Sequence, residues 1–190
     1  FTLAGQIMEL NDLLKLSFKK QDKVEKLLDL LADAIIMIVK EYEKAGVDYI
    51  SVREMGATSD VLSPRVFKNL IQPYLKKIFD NMKAHGVLHI CGKTNDIAQF
   101  MVETGADAIS VDQKNDAAET RKKLGSNALI YGNFDPYNVL VTGTEEKIRE
   151  TMRKCIDDGI SAIWPGCDIW PTVPAENFRI MMDEVQRYRR

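Results

Sequence analysis

Three stretches of the 190-residue chain share one local pattern. Ala45-Gly46-Val47-Asp48-Tyr49-Ile50-Ser51, Thr104-Gly105-Ala106-Asp107-Ala108-Ile109-Ser110 and Asp158-Gly159-Ile160-Ser161-Ala162-Ile163-Trp164 each place a glycine ahead of a short, mostly apolar run. A glycine there ends a helix by taking a left-handed conformation, and the run that follows has the length of a strand. Two further runs, Gly86 to Ile90 and Ala128 to Tyr131, fit between the three. Strands covered on both faces must be apolar throughout, so this alternation of short buried strands with helices predicts parallel βα units.

The helices carry recognisable ends. Ser63-Pro64 is a cap and first-turn pair predicting a helix to about His85, with Gly86 as its stop and His85 in its last turn. Thr144 followed by Glu145 and Glu146 opens another that closes at Gly159, a helix from about Asp22 to Lys44 precedes the first strand, and Pro174 opens the last one. No linker or low-complexity tract interrupts this order, so residues 1–190 read as a single domain.

Composition narrows the function classes. With 45% hydrophobic and 28% charged residues, the chain can bury one good core. A net charge of −2, with both signs interleaved, leaves no electrostatic footprint for nucleic acid or an anionic membrane surface, and a small-molecule partner is expected. The most apolar stretch, Leu27 to Val39, contains Asp29 and Asp33 and is shorter than the ~20 residues of a membrane span. Three cysteines and no signal-peptide pattern point to a reducing, cytoplasmic setting without disulfides. Opening on Phe1 rather than Met is what a piece of something longer would show.

Parallel βα folds gather their chemistry at the C-terminal ends of the strands. Those ends read Arg53 and Glu54; His89 and Cys91; Asp112; Asn133 and Asp135; Cys167 and Asp168. His89 and Cys91 stand at i and i+2, so on extended backbone their side chains leave the same face and can touch one ion. Cys167 ends another strand, where a closed rim would bring it to the same point. Two sulfurs and one imidazole suit Zn²⁺, and three protein ligands with an open fourth position mark a catalytic site. Spacing alone leaves the plainer reading open, since buried cysteine is a common small core residue. Cys155 follows Ile148 and Met152 at helical spacing and reads as a core thiol. Asp112 can serve as a fourth ligand or orient His89, while Glu54, Asn133 and Asp135 can do similar work or merely cap loops. Trp164 and Trp170 flank Cys167 and can line a cleft for a flat ligand or pack against helices.

His89-Ile90-Cys91-Gly92, Ile109-Ser110-Val111-Asp112 with Lys114, Gly132-Asn133-Phe134-Asp135-Pro136 and Pro165-Gly166-Cys167 resemble successive motifs of the uroporphyrinogen decarboxylase superfamily. More narrowly they are similar to its methylcobalamin:coenzyme M methyltransferase branch, and Phe1-Thr2-Leu3-Ala4-Gly5 and Leu62-Ser63-Pro64 extend the likeness over essentially the whole chain. The Gly132 to Pro136 segment is common to decarboxylases and methyltransferases. In the decarboxylases the segment matching His89-Ile90-Cys91 lacks the ligand pair, and the position of Cys167 carries histidine.

The resemblance implies the C-terminal part of a (βα)₈ TIM-type barrel, about five strand-helix units. It implies His89, Cys91 and Cys167 as zinc ligands, and a catalytic set completed by Asp112, Glu54, Asn133 and Asp135, with Trp164 and Gly166 against the cofactor. The reaction it implies is transfer of a methyl group from a methylcorrinoid (cobalamin), presented by a corrinoid protein, to a small thiol such as coenzyme M. Tetrahydrofolate as acceptor, uroporphyrinogen decarboxylation and a non-catalytic truncated binding module are the alternatives. Open barrel edges lead to an expectation of self-association into a homo-oligomer, or of ordering beside the missing half.

Overall fold

The computed structural model describes residues 1–188. Among them, helices α1 (Thr2–Ile7), α2 (Leu10–Lys19) and α3 (Gln21–Lys44) lead into strand β1 (Tyr49–Arg53). A helical stretch follows, composed of α4 (Pro64–Val66), a π-helical turn (Phe67–Ile71) and α5 (Gln72–Asp80). Then come β2 (His85–Ile90), α6 (Ala98–Val102), β3 (Ala108–Val111), α7 (Ala117–Leu124) and β4 (Leu129–Phe134). A second π-helical turn (Pro136–Val141), α8 (Glu145–Asp157), β5 (Ala162–Pro165) and α9 (Ala175–Tyr188) complete the order. The strands lie in the sheet in chain order, and the two pairings with a resolved register, β1 with β2 and β4 with β5, are parallel.

Each predicted strand is present; β1, β3, β4 and β5 lie toward the C-terminal end of their motifs, while β2 begins one residue before Gly86 and ends at Ile90 as expected. The helix-ending glycines take the left-handed conformation that the pattern predicts, with φ of 80° at Gly46, 86° at Gly105 and 89° at Gly159. Thr144 caps α8 by accepting a hydrogen bond from Lys147 N at 3.3 Å, with Glu145 and Glu146 in the first turn against the positive end of the helix dipole.

The helix expected to reach His85 is a correction. It ends at Asp80, and His85 is the exposed first residue of β2, its Nδ1 3.7 Å from the Asp107 carboxylate. Gly86 sits inside the strand, where a Cβ would lie 2.7 Å from the Phe79 ring. The glycine therefore lets helix and sheet approach closely instead of ending the helix.

The described residues divide into two compact units, residues 1–90 with 96–109 and residues 91–95 with 110–188. In the first, α3 buries Val24, Leu28, Ala32, Ile36 and Val39, a helical repeat that covers one face. The opposite side of α3 leaves Leu30 and Met37 more than 65% exposed. β1 and β2 pair in register from Tyr49 opposite His85 to Arg53 opposite His89, and Glu54 N continues the ladder to His89 O at 2.9 Å.

In the second unit, β4 and β5 pair from Tyr131 opposite Ala162 to Phe134 opposite Pro165. Ile130, Phe134, Leu140, Ile148 and Met152 form its core. Helices α8 and α9 are tied together by Glu184, which is buried and receives Arg149 at 2.8 Å and Arg153 at 2.5 Å. The two guanidinium groups, Arg153 foremost, hold the Glu184 carboxyl below the usual range.

Candidate functional site

The second unit brings together two thiols from distant parts of the chain. Cys91 and Cys167 are 76 residues apart in sequence, yet their Sγ atoms lie 3.8 Å from each other. Both cysteines are half-buried, and neither forms a disulfide. A disulfide would bring the sulfurs to about 2.05 Å. Two thiolates each ~2.3 Å from one zinc ion, at a tetrahedral angle of about 109°, lie about 3.8 Å apart. The observed separation equals the edge of such a tetrahedron and is also that of an S–H···S contact, and the soft donor pair suits such an ion. Among the described residues no three or more His, Cys, Asp or Glu are grouped so that they could hold a metal ion.

The spacing follows from how one loop seats both cysteines. Asp112, 4% exposed at the end of β3, accepts Gly92 N on Oδ2 at 2.9 Å and Lys114 N on Oδ1 at 2.8 Å. Its carboxylate holds the residue that follows Cys91. On the other strand end, Gly166 N donates to Phe134 O at 2.9 Å, and an added Cβ at Gly166 would lie 2.5 Å from Gln113 N and 3.2 Å from the Asp112 carbonyl carbon. The residue that precedes Cys167 is thereby packed onto the backbone of the same loop.

The remaining predicted residues divide by what their side chains touch. Asn133 donates from Nδ2 to Asn115 O at 2.8 Å and supports that loop from β4. Asp135 caps the π-helical turn, accepting Tyr137 N and Asn138 N, both at 2.9 Å. Glu54, in the first unit, accepts the backbone nitrogens of Thr2 and Gly56 and the Thr2 hydroxyl, at 2.6–3.0 Å, so it anchors the start of α1. His89 is buried in β2, two residues before Cys91, and belongs to the first unit. Trp164 stacks on Tyr131 with ring centroids 5.6 Å apart, while Trp170 is half exposed and meets Tyr137 edge-on at 5.4 Å. Cys155 is buried, with Sγ 4.0 Å from Asn133 Oδ1, and burial pushes its thiol pKa up, as suits an inert core thiol.

Asn115 carries more of the site than any residue singled out from sequence. It is 7% exposed and engages both side-chain atoms twice, and only those hydrogen bonds reveal it. A loop asparagine after a strand has many ordinary uses, so nothing in its position distinguished it.

The uroporphyrinogen decarboxylase family model matches residues 1–188. The chain belongs to that family. A methylcobamide:CoM methyltransferase of Methanosarcina barkeri is 34% identical over 188 residues, covering 98% of this chain and 56% of that protein. A second methylcobamide:CoM methyltransferase, of Methanosarcina mazei, is 35% identical over 175 residues, covering 90% of this chain and 51% of that protein. Among solved structures, a methyltransferase from Methanosarcina mazei superposes with a TM-score of 0.94 at 29% identity, covering 100% of this chain and 56% of its own. The chain thus spans little more than half the length of the relatives it matches. The match over the whole chain bears out the expected parallel α/β architecture as part of a larger family fold. No helix among the described residues is long and apolar enough to cross a membrane.

Proposed function

We propose that this family member is a zinc-dependent methyltransferase moving a methyl group from a methylated corrinoid to a small thiol such as coenzyme M. The 3.8 Å approach of Cys91 Sγ and Cys167 Sγ carries the reading, because it provides a pair of sulfurs spaced for one soft cation at the strand ends. The names of the methylcobamide:CoM methyltransferases support the choice of donor and acceptor.

Cys91 and Cys167 would hold the ion, with His89 as the third ligand and a fourth position left for the acceptor. Bound there, zinc supplies a centre that keeps a substrate thiol deprotonated at neutral pH. The two cysteine thiolates and a neutral imidazole offset the charge of the ion, so this donor set leaves electron density on an added sulfur and disfavours Lewis-acid hydrolysis.

In the transfer, the acceptor sulfur forms a bond to the methyl carbon as the cobalt–carbon bond breaks. The electron pair of that bond stays with cobalt, and the thiol proton goes to solvent. Asp112 acts on the geometry by fixing Gly92, and Gly166 acts by letting Cys167 reach the loop. Trp164, three residues before Cys167 and stacked on Tyr131, would line the corrinoid's side of the site. A separate corrinoid protein is the presenting partner, and reduced thiols imply a cytoplasmic setting. Decarboxylation of a porphyrinogen would make no use of a converged cysteine pair.

Polypeptide of family length carrying these residues, given methylcobalamin and 2-mercaptoethanesulfonate, should consume the thiol and shift the cobalamin spectrum to its reduced form. Chelation of zinc should abolish both changes, and either Cys91→Ser or Cys167→Ser should do the same. Turnover that persists undiminished after zinc removal would overturn the reading.

A further inference from the structure

We propose that Asn115 is the positioning residue that fixes Cys91 against Cys167, and so sets how tightly the pair takes a soft divalent cation. The metal part of this inference rests on the function proposed above; the geometric part does not. None of the hydrogen bonds of Asn115 reaches a sulfur. All act through backbone.

The Asn115 side chain fills its whole hydrogen-bonding capacity in the segment after Cys91 and in its own loop. Oδ1 accepts Thr94 N at 2.6 Å and Asn95 N at 3.1 Å, while Nδ2 donates to Gly92 O at 2.8 Å and Asp112 O at 3.0 Å. Gly92 N meets Asp112 Oδ2 at 2.9 Å, so both the N–H and the C=O of the residue following Cys91 are held by the 112–115 loop. Asn133 Nδ2 buttresses that loop at Asn115 O, 2.8 Å away. Gly166, before Cys167, packs on the backbone of Gln113 in the same loop. The loop is therefore a common seat for both cysteines, and Asn115 is its clamp on the Cys91 side.

Only a planar group with two donors and two acceptors can make these four bonds. Asn115→Asp keeps the acceptors for Thr94 N and Asn95 N but sets a carboxylate oxygen against the carbonyls of Gly92 and Asp112. That variant should release Gly92, and with it Cys91, while keeping the hold on residues 94 and 95.

Two readouts test it on the intact chain. In metal-free protein, diamide takes up the two thiol hydrogens on its azo nitrogens and joins Cys91 to Cys167; the crosslinked peptide is followed by mass spectrometry. Cobalt(II) titration follows the thiolate-to-cobalt charge-transfer absorption. Asn115→Asp is expected to slow crosslinking roughly tenfold and to weaken cobalt binding by roughly tenfold to a hundredfold. Thr120→Val, which removes the neighbouring hydrogen bond to Asn95 Oδ1, should lower thermal stability without altering either readout. Asn115→Ser should behave as Asn115→Asp does, and it carries the test if the aspartate variant fails to fold. Crosslinking and cobalt affinity both unchanged in the folded variant would overturn the role of Asn115. Wild-type chain that crosslinks rapidly but takes up no cobalt would instead contradict the metal reading, with the crosslinking rate of the variant still deciding for or against the clamp.

Discussion

Replacing either Cys91 or Cys167 by serine is expected to lower zinc affinity by a hundredfold or more, whereas Cys155→Ser leaves it unchanged. The size follows from the binding free energy of thiolate-rich zinc sites, roughly 10–16 kcal/mol, which shared over four donors is about 3 kcal/mol for each. Serine keeps the shape but does not ionise at neutral pH, so the ion loses both a bond and a compensating charge. Cys155 is the matched control, since it is a buried thiol of α8 with Sγ 4.0 Å from Asn133 Oδ1. Competition with a chromophoric chelator measures all three variants on one scale. Equal affinities in wild type and the two site variants would remove the pair from the metal site.

Gly166→Ala is expected to lower Tm by roughly 4–8 °C and to abolish rapid crosslinking between Cys91 and Cys167. The added methyl carbon would lie 2.3 Å from Gln113 Oε1 and 2.5 Å from Gln113 N. The side-chain oxygen can swing away, but the backbone nitrogen belongs to the loop that seats both cysteines and can yield only by moving it. Overpacking of this kind costs about 2 kcal/mol, which sets the Tm change for a chain of this size. Gly5→Ala, in α1 with nothing nearer than Leu10 at 3.8 Å, should leave Tm unchanged or slightly raised. A Gly166→Ala variant that melts and crosslinks like wild type would show that the close approach is not needed.

The order of strands and helices was readable because glycine-plus-apolar-run is a local signal with a local cause. The φ values at Gly46, Gly105 and Gly159 answer it directly. Gly86 misled for an instructive reason. A glycine after a helix looks the same in sequence whether it ends the helix or admits an aromatic ring, and here Phe79 occupies the space a Cβ would need. Helices α6 and α7 escaped notice because they are only 5 and 8 residues long, too short to display a period.

At the site, the polar strand ends were legible, but the roles of the residues there were not. Asp135 and Glu54 spend their carboxylates on backbone N–H groups, which is what an acidic residue beside a helix start commonly does. Asp112 and Asn133 act on the loop that carries the cysteines. Convergence of His89, Cys91 and Cys167 is expected from their strand-end positions and a family resemblance, and of these the sulfurs of Cys91 and Cys167 lie 3.8 Å apart. Asn115 could be found only from its partners.

On the proposed function, Cys91 and Cys167 bind one zinc ion together. X-ray absorption at the zinc edge, on the chain purified and loaded with a single equivalent of zinc, tests it most directly. A first coordination shell containing two sulfurs at ~2.3 Å, with nitrogen or oxygen completing it, is expected. A shell of nitrogen and oxygen alone, or a chain that retains no zinc, would contradict it.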